Sequence, residues 1–219
     1  MLTTPRTSTL PVTKAALLLV AAGLPGVLSL LLTLPDIEGV PRAALLVNPL
    51  LLLGIMAFVG SRAAPRCGFQ LAATDPGRNM ARMAVTGVIA GAVVALLDQL
   101  THALWSAGTS LASMTGGWSA AGLLAGVLYG GITEEIVMRW GLMALVTLGV
   151  RKLVRPETPP ALHATVVTGA VISSILFAAG HLPSLALLGE PTGPAITRTL
   201  ILNLLAGLLF AGVFARHGL

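Results

Sequence analysis

At 219 residues the chain has the length of one or two soluble domains, but 55% of it is apolar and only 10% is charged. A water-soluble fold needs about a quarter of its residues charged to cover its surface, and 13 Lys/Arg with 8 Asp/Glu fall far short of that, which excludes a soluble enzyme and equally a disordered or collagen-like chain. The net charge of +5 resides in short basic clusters between apolar runs and not on one polar face, so it reads as a topology signal and not as a nucleic-acid surface.

Crossing a hydrocarbon layer of ~30 Å takes about 20 helical residues. Uncharged stretches of that order occupy 15–34 and 43–60. A third runs from Met83 to Leu104 and carries Asp98 and His102. A fourth, from Ser119 to Val150, holds Glu134, Glu135 and Arg139 in its middle. Ala161 to Leu182 and Ile196 to Ala215 complete six expected crossings, an all-α polytopic transmembrane bundle. Pro25, Pro49, Gly87 and Gly91 within them are tolerated, because neighbouring helices can satisfy freed backbone groups. Arg6 and Lys14 before the first run resemble a signal peptide, but the run is longer than a signal h-region and lacks a small-x-small cleavage site, so a retained first span is expected. The lone Cys67 permits no internal disulfide and no Cys-based zinc site.

Arg62, Arg66, Arg78 and Arg82 outweigh Asp75 in the loop after the second span, and Arg151, Lys152 and Arg155 form the next basic cluster. Both are expected in the cytoplasm, with Arg6, Lys14 and Arg216, while Asp36, Glu38 and Glu190 fall outside. That pattern requires the fourth segment to cross once, as a long tilted helix. A hairpin would carry the Arg151 cluster to the other side. The Pro156 to Pro160 stretch is a loop between helices and not a domain boundary.

Ionisable groups inside spans cost of order a few kcal/mol each, so they mark candidate functional positions. Glu134 and Glu135 lie 17 and 16 residues from Arg151, His181 lies 18 from His163, Asp98 lies 16 from Arg82 and Asn203 lies 13 from Arg216. At 1.5 Å per residue all fall roughly 20 to 27 Å from one face, a single polar layer. Glu135 precedes Arg139 by four residues, the favourable order for a helical ion pair. One residue of offset turns Glu134 about 100° away, leaving it to project into the bundle, where it suits a general base acting on water. A static polar clamp between helices is the competing duty for these three residues. For Asp98 and His102, four apart, structural pairing is the expected role, and Asn203 is expected as interhelical glue. Trp105, Trp118 and Trp140 read as packing or interfacial residues, and Gly207 with Ala211 as a close-packing face.

The segments GITEEIVMRWGL, SSILFAAGHLPS and LNLLAGLLFAGVFARHGL resemble the CPBP family of intramembrane proteases, which includes CAAX prenyl endopeptidases and bacteriocin self-immunity proteins. The family's EExxxR motif is matched by Glu134, Glu135 and Arg139, and its FxxxH motif by Phe177 and His181. The resemblance covers 119–219, a CPBP-like region after N-terminal transmembrane helices over 1–118. It implies catalytic roles for Glu134, Glu135, Arg139 and His181, with Glu134 activating the hydrolytic water and His181 orienting it, directly or through a divalent metal such as zinc. Glu134 and His181 are the candidate ligands, two where catalytic zinc usually has three. Family members usually continue into a further helix carrying HxxxN, a pattern absent here, and His217 aligns with the turn before that helix. The expectation is therefore either a fragment or a relative lacking part of the site, in which Asn203 would supply polarity.

The expected function is an intramembrane endopeptidase acting on membrane-protein or lipidated-peptide substrates, in a multi-pass protein of the prokaryotic cell membrane with its N-terminus cytoplasmic. Its partners are the bilayer and the substrate, without nucleic acid. The alternatives are a non-catalytic immunity or partner-binding protein of the same fold, or a proton-coupled transporter using Glu134 and Asp98. The latter lacks paired interrupted helices and repeats. No HExxH or GxGD occurs, and a rhomboid-like serine at Ser119 is followed by Ala120 instead of glycine.

Overall fold

The structure, a computed structural model, describes residues 10–71, 76–106, 119–186 and 191–219, with side chains omitted for 76–83. Arg6, Asp75, Trp118 and Glu190 lie outside the described residues, as do the side chains of Arg78 and Arg82. The described residues form six long helices apolar enough to span a membrane. They are α1 (Val12–Leu32), α2 (Arg42–Cys67), α3 (Pro76–Trp105), α4 (Ala120–Val154), α5 (Pro159–Gly180) and α6 (Gly193–His217). A short turn of helix, Leu182–Ala186, follows α5.

Local chemistry sets the ends. The Ser119, Thr158 and Thr192 hydroxyls accept from the amides of Gly122, Ala161 and Ala195, which caps α4, α5 and α6. The caps of α5 and α6 are reinforced by proline in the first turn, where its missing N–H costs nothing. Ser119 is thus occupied as a cap. Gly68 closes α2 at φ +83°, a left-handed conformation that glycine adopts without a Cβ penalty.

The core is centred on α4, whose first half packs against α1 and whose second half packs against α2 and α5. Leu53, Ala57, Ile136, Trp140 and Met143 fill the centre, and Trp140 donates its indole N–H to the Ser61 hydroxyl at 3.3 Å. Helix α6 lies along α5, and α3 packs on α6 at the periphery. Helices approach closely where glycine faces a neighbour. A Cβ at Gly207 would lie 2.8 Å from the Ser174 Cβ, so α5 and α6 meet at near backbone contact, with Ala211 buried one turn on. Thr133 of α4 donates to the Gly23 carbonyl of α1 at 2.7 Å.

Arg151 donates from Nε to the Thr165 hydroxyl and from Nη1 to the Arg66 carbonyl, at 3.0 and 3.4 Å. The ends of α2 and α4 and the start of α5 therefore share one end of the bundle. The Leu219 amide, bonded to the Gln70 carbonyl at 3.0 Å, brings the end of α6 there too. The α4 segment is one continuous helix, and Arg66 of the first basic cluster meets Arg151 of the second. At the other end, Arg42 holds Asp36 through a two-pronged contact of 2.5 and 2.6 Å.

Candidate active site

At 35 residues α4 exceeds the length a crossing needs, and it is wound more widely than an α-helix on both sides of its two glutamates. Hydrogen bonds run i→i+5 over Gly126–Thr133 and again over Ile136–Met143. Such π-helical turns occur frequently at functional sites. The wider winding turns Arg139 closer to the face of Glu134 than an α-helix would, while its ion pair is with Glu135.

Arg139 pairs with Glu135, Nη2 to Oε1 at 3.3 Å, with its own side chain only 1% exposed. The pair is electrostatic without hydrogen-bond geometry. Nε, Nη1 and Nη2 all lack a hydrogen-bond partner among the described residues. Two rings flank the guanidinium instead, Phe177 of α5 at 5.2 Å and Phe210 of α6 at 5.9 Å from the guanidinium carbon to the centroid, within the range of cation–ring attraction.

His181 caps the C-terminus of α5 and is fixed from two sides. Its Nδ1 lies 2.9 Å from the Phe177 carbonyl, and its ring meets the Phe177 ring edge-on at 4.6 Å. A carbonyl only accepts, so Nδ1 carries the hydrogen, and in the neutral ring Nε2 is left as an acceptor. That nitrogen faces Glu134 Oε1 at 3.9 Å. Two acceptors confront each other at a distance too long for a direct hydrogen bond. A water 2.8 Å from both would see them about 90° apart, close to the angle between its own O–H bonds. The Glu134 and His181 side chains are 22% and 31% exposed, so neither is sealed in the core.

Of the residues singled out from sequence, Glu134, Glu135, Arg139 and His181 converge between α4 and α5. Asp98 and Asn203 are engaged elsewhere. Asp98, fully buried, accepts from Arg198 Nε of α6 at 2.6 Å, so its cross-helix partner is Arg198, a residue the sequence reading passed over. Arg198 also lies 4.2 Å over the Trp105 ring, and His102 packs edge-on against Trp105. Asn203 donates its amide to the Thr199 carbonyl of its own helix at 2.8 Å, where interhelical glue was expected. Arg198 was discoverable, since a cation inside an apolar span implies a partner. Of the two rings beside Arg139, Phe177 lay in the FxxxH motif, whereas Phe210 had no sequence signal. No group of three or more His, Cys, Asp or Glu that could hold a metal occurs among the described residues. Glu134 and His181 alone do not make up the three protein ligands of a catalytic zinc.

Residues 116–219 match the family model described as type II CAAX prenyl endopeptidase Rce1-like. No curated protein and no solved structure matches the chain.

Proposed function

We propose, from the likeness of residues 116–219 to type II CAAX prenyl endopeptidases, that this chain is a CAAX-type intramembrane protease in which Glu134 and His181 hold and activate the water that hydrolyses a peptide bond within the membrane. The supporting observation is the pair of acceptors 3.9 Å apart, which a molecule with two donor hydrogens would bridge. Bridged in this way, the water turns its lone pairs outward. Its oxygen attacks the scissile carbonyl carbon while Glu134 takes the proton. When the tetrahedral intermediate collapses and the C–N bond breaks, that proton passes from Glu134 to the leaving amine. His181, its tautomer fixed by the Phe177 carbonyl, orients the water throughout. Arg139 neutralises Glu135 and leaves Glu134 to act as the base.

The substrate in this reading is a membrane-bound or lipidated peptide, because the site lies between spans and not in a loop. The end bearing Arg66 and Arg151 faces the cytoplasm. The test is Glu134→Gln in vesicles loaded with a quenched-fluorescent prenylated CAAX peptide. Cleavage should fall by at least about a hundredfold, as for loss of a general base, while the unfolding midpoint stays near that of the parent. Undiminished cleavage in this variant would overturn the reading. A biological effect that survives it would favour a non-catalytic immunity or partner-binding role.

A further inference from the structure

Arg139 has two carboxylates within reach and only one of them can be spared. It stands four residues after Glu135 and five after Glu134, and the wider winding of Ile136–Met143 leaves the fifth position nearer the same face than an α-helix would. Paired with Glu134, the guanidinium would quench the proposed base. Hydrogen bonds do not make the choice, since none of the three guanidinium nitrogens has one among the described residues. Ring contacts from two other helices remain as the directing force. Phe177 already serves His181, through both its carbonyl and its ring. Phe210 belongs to neither sequence motif. Its ring lies 5.9 Å from the Arg139 guanidinium carbon, and its Cε1 also comes near Gly87 of α3, where an added Cβ would lie 3.9 Å away. The peripheral helix thus comes close to the same ring that contacts Arg139.

We infer that Phe210 is a positioning residue, which together with Phe177 clamps the Arg139 guanidinium onto Glu135 and keeps Glu134 free for its water. The inference rests on the hydrolytic reading for its catalytic consequence, but the clamp itself is a physical coupling between Phe210 and Arg139. A desolvated cation over a ring is favoured by the ring's quadrupole, which leucine of similar bulk lacks.

The experiment compares Phe210→Leu, Phe210→Tyr, Arg139→Gln and the double variant Phe210→Leu/Arg139→Gln in the full chain. Cleavage of the same prenylated peptide and unfolding in detergent are both measured. Phe210→Leu is expected to lower kcat about tenfold with KM little changed, and Phe210→Tyr to stay within about twofold of the parent. Phe210→Leu should cost nothing further once Arg139 is glutamine, in cleavage and in unfolding alike. Full activity of Phe210→Leu alongside an inactive Glu134→Gln overturns the inference and leaves the hydrolytic reading standing. Equal losses for the leucine and tyrosine variants also overturn it. Should Glu134→Gln remain active, the hydrolytic reading fails and the unfolding cycle alone decides: additive losses overturn the clamp, and non-additive losses support it.

Discussion

The Asp98–Arg198 pair offers the sharpest test of how this bundle is held together. The two side chains meet at 2.6 Å, with Asp98 fully buried and the Arg198 side chain 16% exposed against the Trp105 ring. Removing one member of such a buried ion pair costs roughly 3 to 5 kcal/mol. Arg198→Met should approach the upper figure, because the carboxylate left behind is wholly enclosed. Asp98→Leu should approach the lower one, because the guanidinium keeps its ring contact and some exposure. Helix α3 packs chiefly on α6, so the loss should appear as local release of α3 before the bundle unfolds. At about 1.4 kcal/mol per decade, backbone amides of Ala84–Trp105 should exchange roughly 140- to 3,700-fold faster in the single variants, up to the limit set by global unfolding. The double variant Asp98→Leu/Arg198→Met should recover most of the protection, since an apolar pair in the same space avoids desolvating two ions. Hydrogen exchange read by mass spectrometry in detergent or nanodiscs measures all three. A double variant as unprotected as the sum of its parents would show that the pair is not coupled, and the argument would fail.

Other consequences are more local. Gly207→Ala should destabilise the protein by about 1 to 3 kcal/mol, because the new Cβ meets Ser174, whereas Gly212→Ala on the same helix enters open space and should be tolerated; unfolding midpoints compare the two directly. Thr133→Val removes the hydroxyl that donates to the Gly23 carbonyl between α4 and α1, and should cost about 0.6 to 1.7 kcal/mol in the same assay. The Arg42 hydrogen bonds hold the Asp36 carboxyl below the usual aspartate range, so their contribution is present above that range and is lost as pH falls through the lowered value. In Arg42→Gln the Asp36 titration, followed by NMR, should return upward to the ordinary value.

Residues 116–219 carry both motifs that first suggested the CPBP family, and the family match covers that same stretch. The single crossing of α4 was legible because the positive residues around Arg151 had to return to the side of Arg66, and Arg151 is now seen bonded to the Arg66 carbonyl. The expectation that Glu135 pairs with Arg139 needed only helical spacing, and the structure has that pair. The expected polar layer was drawn too broadly. Depth along a helix axis says how far a side chain lies from one face, but not which way it points, and Asp98 turns to Arg198 while Asn203 bonds its own helix. The i→i+5 winding around the two glutamates was invisible in the sequence, since a spacing argument assumes one period along the whole span.

By itself the sequence determined that the protein is a membrane protein, which of the described stretches form helices long and apolar enough to span a bilayer, and that Glu134, Glu135 and Arg139 share one of them. Those are matters of local length, hydropathy and charge bias. Tertiary structure alone decided the neighbours: Phe210 beside Arg139, Arg198 beside Asp98, and His181 a water's width from Glu134. The physical reason lies in the solvent. Lipid tails are as apolar as leucine, so hydrophobicity drives helices into the bilayer without saying which of them should touch. Close packing at small residues and the pairing of costly buried charges make that choice, and both depend on shape in three dimensions.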